Sequence, residues 1–299
     1  MSKRAKVLLG IAGFIAIVAI LGMAFGSSGA NESFKPQNEF KLDPWISLQL
    51  GPIDMSINKA VLYLFLAAGF TISAMLYVAN RMQARPNRTQ TAVEAAYQLM
   101  RENIAGGNMP RAMATKWFVF IATLFMFIWV SNMIGYLPLP TNTEHPVDIF
   151  GISFPAFALY AATANLAVPL TLTLIVVASY HIEGIRAKGF FAYLKGWIPA
   201  GVEGPAAVPI FFIEVISQFV RIISLSVRLF ANILAGHLLI LFMAGGLAVL
   251  LGIPVLAMFT LPLAIAFYLF EISLIATLQA FIFATLSAIY FGGAVATEH

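Results

Sequence analysis

The length of its apolar runs is the feature that most constrains this sequence. Four stretches are predominantly apolar: residues 61–79, 117–137, 155–179 and 205–291. Because a helix needs about 20 such residues to cross a bilayer, the first three runs predict one span each and the fourth predicts two. With 61% hydrophobic and only 10% charged residues, the chain has too much apolar surface for a soluble domain. We therefore expect an all-α polytopic membrane protein with about five membrane helices.

The N-terminal part divides into two segments. Residues 1–30 combine a basic start, an apolar run over 7–25 and a stretch of small residues, which is the layout of a secretory signal. The apolar run is also near the lower length limit for an uncleaved span, so both interpretations stay open. In either case we expect residues 31–58 to be an external segment.

Basic residues predict the orientation of the chain. A threading that puts "NRMQARPNR" on the inner side places nine basic residues there: Arg81, Arg85, Arg88, Arg101, Arg111, Lys116, Arg186, Lys188 and Lys195. This agrees with the enrichment of lysine and arginine in cytoplasmic loops. Residues 59–200 are thus predicted to hold membrane helices with basic inner loops. Helical spacing of apolar residues over 91–104 predicts a short interfacial helix, and "GYLPLPTNTEHPVDIFG" predicts a proline-rich outer loop.

Composition excludes several kinds of site. The chain has no cysteine, which excludes thiolate metal sites and thiol nucleophiles. Its four histidines are scattered, and it has no Gly-rich phosphate loop and no Ser-His-Asp pattern. The net charge of +4 reflects basic loops and does not indicate a nucleic-acid partner. We predict no metal site and no cofactor.

Ionisable side chains are rare between residues 206 and 297. The set consists of Glu214, Arg221, Arg228, His237 and Glu271. Such groups are costly at membrane depth and usually face a partner or a water-filled path, although the glutamates and arginines could also simply pair with each other. At 100° per residue, Glu214, Arg221 and Asn232 fall within about 40° of Arg228, whereas His237 points about 180° away. Ion pairs that only hold helices together would not require a titratable side chain such as His237 on the opposite face of the helix.

A membrane path for protons needs three kinds of group. His237 and Glu271 can take up and release protons, and Asn232 and Gln279 can hold water by hydrogen bonds. Arg228 suits the role of barrier, because a fixed positive charge repels a proton and attracts an ionised carboxylate. We interpret residues 201–299 as a two-helix proton-channel hairpin.

Two motifs here resemble subunit a of the F-type ATP synthase membrane sector. That family has Arg-Leu-Phe-x-Asn on the penultimate helix and Gln-Ala-Phe/Tyr-x-Phe on the last, and this chain reads "RLFANILAGH" and "LQAFIFATLSAIYF". A weaker resemblance extends to "SNMIGYLPLP". The resemblance implies that the last two helices are long and tilted. By motif position, Arg228 matches the essential arginine, Asn232 its polar neighbour, Glu214 an inner-side carboxylate and Gln279 the last-helix glutamine.

The outer-side residues match the family with one departure. His237 stands where some members have glutamate, and Glu271 lies near where those members have histidine; the exchanged pair also occurs within the family. Glu271 precedes Gln279 by eight residues, where the family pattern has seven. Either the last helix is irregular at this point, or another residue takes the place of Glu271.

The resemblance implies a proton-translocating function. Two offset half-channels would face the ring of c-subunits, and Arg228 would separate them and couple proton flow to rotation. The chain would be a non-catalytic subunit without a cofactor. Its partners would be the c-ring, subunit b of the peripheral stalk, the rest of the synthase and the lipid bilayer. It would be a multi-pass protein of the bacterial plasma membrane with a cytoplasmic C-terminus.

Three alternatives come from other functional classes. A secondary transporter could use a buried arginine as ligand for an anionic substrate, but such proteins often carry internal repeats, and the arginine-containing segment is not repeated. A scaffold that only anchors a peripheral stalk would not need Arg228 for ion flow. An intramembrane hydrolase would need a nucleophile and a base, and neither Ser224 nor Ser226 has a histidine one turn away.

Overall fold

The described part of the chain is mostly helical. The computed structural model describes residues 13, 36–51, 53–198, 202, 204–251, 253 and 256–296. Five helices there are long and apolar enough to cross a membrane: Lys59–Ala79, Arg111–Gly135, Ala167–Lys188, Gly204–Gly246 and Leu256–Val295. This confirms the predicted all-α class with five membrane helices, of which the last two are the longest at 43 and 40 residues. The predicted N-terminal signal or extra span lies, apart from residue 13, outside the described residues.

The first half contains three long helices joined by shorter elements. The membrane helices are α1 (Lys59–Ala79), α3 (Arg111–Gly135) and α4 (Ala167–Lys188). Between α1 and α3 lie α2 (Arg88–Gln98) and a π-helix, Leu99–Gly106, so the stretch predicted as a short interfacial helix is helical. The side chains of Asn58 and Asn87 cap α1 and α2 by accepting hydrogen bonds from backbone N–H groups. A short helix, α5 (Phe190–Lys195), follows α4.

The second half consists of two long helices that are interrupted by π turns. The penultimate one comprises α6 (Ala207–Leu241) and a π turn, Phe242–Gly246, and it is followed by the short helix α7 (Leu247–Leu251). The last one comprises α8 (Leu256–Phe270), a π turn at Glu271–Ile275 and α9 (Ala276–Val295).

A β-hairpin occupies the segment for which the sequence predicts an outer loop. Strands β1 (Gln49–Leu50) and β2 (Ile53–Asp54) form one small antiparallel pair, and β3 (Leu139–Ile149) and β4 (Ile152–Ala158) form the hairpin. Its two-residue loop, Phe150 and Gly151, has positive φ at both positions, as a type I′ turn requires. The third membrane helix consequently begins at Ala167, so the run at 155–179 predicted its start too early.

The chain divides into two compact units, of which the larger comprises Pro44–Leu137, Leu159–Leu234 and Leu274–His299. Its core is formed where α9 packs against α3 and α4. Ala280, Ala284 and Ala288 of α9 are fully buried and follow one another at intervals of four residues, so they share one face. Small side chains on such a face let two membrane helices approach closely.

The smaller unit comprises Met1–Asp43, Pro138–Ala158 and Ala235–Ser273. Within it, the π turn Phe242–Gly246 packs against α8. Gly245 has a φ of 147°, a backbone conformation that side chains with a Cβ rarely adopt, and it kinks the chain at this turn. Ala248, Ile253 and Leu256 form a small apolar cluster beyond the kink.

The orientation of the chain is testable because the sequence lacks cysteine. We expect Arg85→Cys and Phe150→Cys to react with a membrane-impermeant maleimide from opposite faces, with Arg85→Cys labelled from the cytoplasm. Both positions are exposed, and Phe150 is the fully exposed tip of the β3–β4 turn. The cysteine-free parent is the control for background labelling. Reaction of both variants from the same face would overturn the predicted topology.

Candidate functional site

Arg228 lies on an exposed face of α6. Ser224, Ala231 and Asn232, which lie about one turn away on the same side of the helix, are exposed as well. The guanidinium donates one hydrogen bond, 3.4 Å long, to the hydroxyl of Ser224. Within the described part of the chain, no carboxylate lies within ion-pair distance of it. A group that keeps its positive charge is therefore exposed on a membrane helix without a counter-charge from this part of the chain.

Glu214 is paired with the other arginine of α6. Arg221 Nη2 donates to Glu214 Oε1 at 3.2 Å, and Gln218 Nε2 donates to the same oxygen at 2.8 Å. The three residues lie at intervals of three or four, which places them on one side of the helix. The alternative in which the charges pair with one another thus holds for Glu214 and Arg221, and it does not hold for Arg228.

The Glu214 cluster opens into a polar cavity of about 260 Å³. Tyr180 of α4 donates to Gln218 Oε1 at 2.7 Å, and the Arg221 guanidinium stacks over the ring of Tyr290 of α9 at 5.3 Å. Lys188 and Trp197 complete the wall on the side of α4 and α5. This volume accommodates several water molecules, since a water occupies about 30 Å³ in the liquid. Glu214 therefore borders a cavity that is large enough and polar enough to hold water.

A tyrosine in the lining of this cavity contacts a histidine that is not part of the lining. The Tyr193 hydroxyl, on the cavity wall, lies 2.8 Å from His181 Nδ1. Burial raises the pKa of the Tyr193 hydroxyl, although nearby Arg221 acts in the opposite direction. The hydroxyl therefore keeps its proton near neutral pH, and its hydrogen bond to the imidazole continues the polar chain.

Sequence reasoning missed four residues of this cluster: Tyr180, His181, Tyr193 and Gln218. One signal was available, because Gln218 is an amide placed one turn after Glu214 in an otherwise apolar helix. The other three stand on α4 and α5, and no helical spacing relates them to α6. Their contribution is a consequence of packing between helices.

The structure brings Glu271 directly onto the helix turn that carries His237. A Cβ atom built on Gly236 would meet the Glu271 carboxylate at 2.4–2.7 Å, so the two residues are in van der Waals contact. His237 is the next residue, and it is 2% exposed, while Glu271 is 7% exposed. The two titratable groups predicted for the outer path are thus both buried, and the glutamate touches the neighbour of the histidine.

A π turn accounts for the unusual spacing of Glu271 and Gln279. The turn Glu271–Ile275 holds an additional residue relative to an α-helical turn. Eight residues that include such a turn rotate by about as much as seven residues of regular α-helix. The irregular-helix alternative is therefore the one that the structure supports, and it removes the spacing argument against Glu271.

Buried amide and hydroxyl groups hold the backbone just after this π turn. Asn132 of α3 donates from Nδ2 to the carbonyl oxygen of Ala276 at 3.2 Å, and its Oδ1 accepts from Thr163 at 2.7 Å. Trp129 Nε1 donates to the hydroxyl of Thr277 at 3.0 Å. Asn132 and Thr163 are fully buried. Asn132 belongs to "SNMIGYLPLP", so the sequence indicates its motif but not its role.

The two remaining predicted residues differ in environment. Asn232 is exposed one turn after Arg228 on α6, and Gln279 of α9 is 5% exposed. Asn232 thus shares the outward face of Arg228, whereas Gln279 lies inside the protein. Within the described residues, no group of three or more histidine, aspartate or glutamate side chains is arranged to hold a metal ion.

Comparisons with known proteins agree on one family. A family model described as ATP synthase A chain matches residues 61–292. A protein named ATP synthase subunit a from Rubrobacter xylanophilus is 36% identical over 247 residues, which cover 82% of this chain and 86% of that protein. Proteins of the same name from Rhizobium rhizogenes and Brucella canis are 31% and 32% identical, covering 87% and 88% of this chain and 96% and 98% of their own lengths.

The contact between Gly236 and Glu271 leads to a first prediction for the site. We expect Gly236→Ala to reduce proton flux through the assembled complex by about tenfold or more, because the new methyl group displaces the carboxylate. Gly69→Ala is the matched control, since a Cβ there meets nothing within 4 Å. Proton flux in vesicles and the amount of chain in the membrane are measured together. Equal flux in the two variants at equal abundance would contradict the prediction.

The π turn leads to a second prediction. Deletion of Leu274 shortens the turn to a regular helix and restores a spacing of seven between Glu271 and Gln279, so we expect most of the proton flux to remain. Deletion of Ile282, in the regular part of α9, rotates the preceding part of the last helix by about 100° relative to the part that follows. We expect this deletion to abolish flux. If the two deletions are equally inactive, the π turn does not compensate for the extra residue.

Proposed function

This chain belongs to the ATP synthase A chain family, and we propose that it forms the two offset proton half-channels of an F-type ATP synthase. One path runs from the outer side past His237 and Glu271. The other leaves to the inner side past Glu214. Protons pass between the paths on a carboxylate of the rotating c-ring, which is on another chain.

The exposed position of Arg228 is the observation that carries this proposal. A charged side chain at the centre of a membrane helix costs about 2.5–3.5 kcal/mol on insertion scales, so such residues normally face a partner. Arg228 has an exposed guanidinium and, within the described residues, no carboxylate at ion-pair distance. An ionised carboxylate on the adjacent ring supplies the missing counter-charge each time it passes.

The same charge explains how proton flow is coupled to rotation. A positive charge attracts a ring carboxylate that has lost its proton and repels a proton that would move straight from one path to the other. Each ring carboxylate therefore has to load on one side of Arg228 and unload on the other. Asn232, on the same face, and Gln279 are proposed to support water and the carboxylate by hydrogen bonding.

The cavity around Glu214 is proposed as the inner path. Its polar wall and its volume of about 260 Å³ support a hydrated exit. The Arg221 guanidinium and Gln218 amide hold the carboxylate of Glu214 in place, and Tyr180 extends the chain of hydrogen bonds. A released proton can be taken up by Glu214 and passed to water in the cavity.

The assembly and location of the chain follow from this role. We propose the c-ring and subunit b of the peripheral stalk as its direct partners, and the bacterial plasma membrane as its location, with a cytoplasmic C-terminus. The chain is proposed to be non-catalytic on its own, since ATP would be made in a soluble sector. The transporter alternative would instead use Arg228 as a ligand for an anionic substrate.

Substitution of Arg228 tests the proposal. We expect Arg228→Ala to abolish ATP-driven proton pumping in inverted vesicles and to raise the passive proton leak, because the barrier between the paths is removed. Arg228→Lys should also fail, since it keeps the charge but loses the planar guanidinium. Arg186→Gln, which removes an exposed arginine at the end of α4, should pump normally. Near-normal pumping by an assembled Arg228→Ala complex would refute the proposed function.

A further inference from the structure

A second cavity, which contains two arginines, is lined by none of the residues of the proposed proton path. Its volume is about 370 Å³, and it is lined by Arg101, Glu102, Gly106, Arg111, Ala114 and Thr115. The first three belong to the π-helix that follows α2, and the others begin α3. Because α3, which is long and apolar enough to cross a membrane, begins at Arg111, we place this cavity near the edge of the hydrocarbon layer.

Aromatic rings hold one of its arginines in place. Arg101 Nη1 donates to the Tyr97 hydroxyl at 3.1 Å, and the guanidinium lies over the ring of Phe118 at 5.3 Å. The rings of Tyr97 and Phe118 contact each other edge to face, with centroids 5.0 Å apart. A guanidinium fixed in this way is ready to donate hydrogen bonds to a planar or phosphate oxygen group without first losing conformational freedom.

The charges of the cavity wall are not balanced by nearby ion pairs. Arg101 and Arg111 carry two positive charges, and Glu102 carries one negative charge. Within the described residues, no carboxylate lies within ion-pair distance of either arginine. The wall therefore has a net charge of +1, which complements one negative charge on a ligand.

An exposed strip of α3 continues from the cavity into the membrane span. Thr115, Val119 and Thr123 are all exposed and four residues apart, so they share a face, and Val119 is 71% exposed. Both threonine hydroxyls donate to the backbone of their own helix, to Arg111 O and to Val119 O. The strip thus presents carbon atoms and hydroxyl groups that are already satisfied, which is a surface suited to acyl chains.

We propose that this cavity binds the phosphate of a monoanionic phospholipid, with an acyl chain along the Thr115–Val119–Thr123 strip. The two guanidinium groups donate charge-assisted hydrogen bonds to the phosphate oxygens. Basic pockets at the cytoplasmic ends of membrane helices are suited to anionic headgroups. Glu102 disfavours a second negative charge and so sets a preference for a headgroup with one charge.

The test measures lipid retained by the intact complex. The complex is reconstituted with phosphatidylcholine and a minor fraction of phosphatidylglycerol, transferred to detergent, and its bound lipids are counted by native mass spectrometry. We expect preferential retention of phosphatidylglycerol. The Arg101→Gln/Arg111→Gln variant should bind it about 25-fold more weakly, from about fivefold per arginine near a membrane surface. Glu102→Gln should bind it more tightly, and Arg186→Gln should match the parent.

Three outcomes would overturn the proposal. In the first, the double variant retains phosphatidylglycerol as the parent does, while ATP hydrolysis shows that its complex is intact. In the second, phosphatidylcholine is retained equally well, so that charge is not recognised. In the third, inorganic phosphate competes as effectively as phosphatidylglycerol at equal concentration, so that the acyl strip contributes nothing.

Discussion

A polar group inside a membrane needs a partner, because lipid tails cannot replace the water that it has left. The arrangement of this chain follows from where those partners lie. Glu214 is met by Arg221 and Gln218, and the carbonyl of Ala276 is met by the Asn132 amide. Tyr180 and Asn132 reach their partners from neighbouring helices, so satisfying the polar groups also fixes how the helices pack.

The sequence predicts the helices of this protein well and its hairpin poorly. Apolar runs of about 20 residues leave few alternatives to membrane helices. The β3–β4 hairpin was missed because "LPLPTNTEHP" is rich in proline, which donates no backbone hydrogen bond and is normally excluded from central strands. A two-stranded ribbon tolerates proline, since each of its strands has an unpaired edge.

The candidate site could likewise be predicted from the sequence only in part. Helical phase along one helix correctly grouped Glu214 with Arg221, because 3.6 residues per turn is a local property. The contact between Gly236 and Glu271 was not predictable, since it depends on which faces of two helices meet. The π turn lay between these cases: an eight-residue spacing signalled an irregular helix, and only the structure could locate the irregularity at Glu271–Ile275.

The outward position of Arg228 has a consequence for the chain before it meets any partner. An arginine that is exposed within a membrane helix can lower its cost by drawing water and lipid headgroups toward itself and thinning the bilayer locally. A newly inserted, unassembled copy of this chain would therefore deform the membrane around α6. In the proposed complex, docking of a ring that carries a carboxylate would relieve that deformation, so the bilayer itself would favour assembly over the isolated subunit.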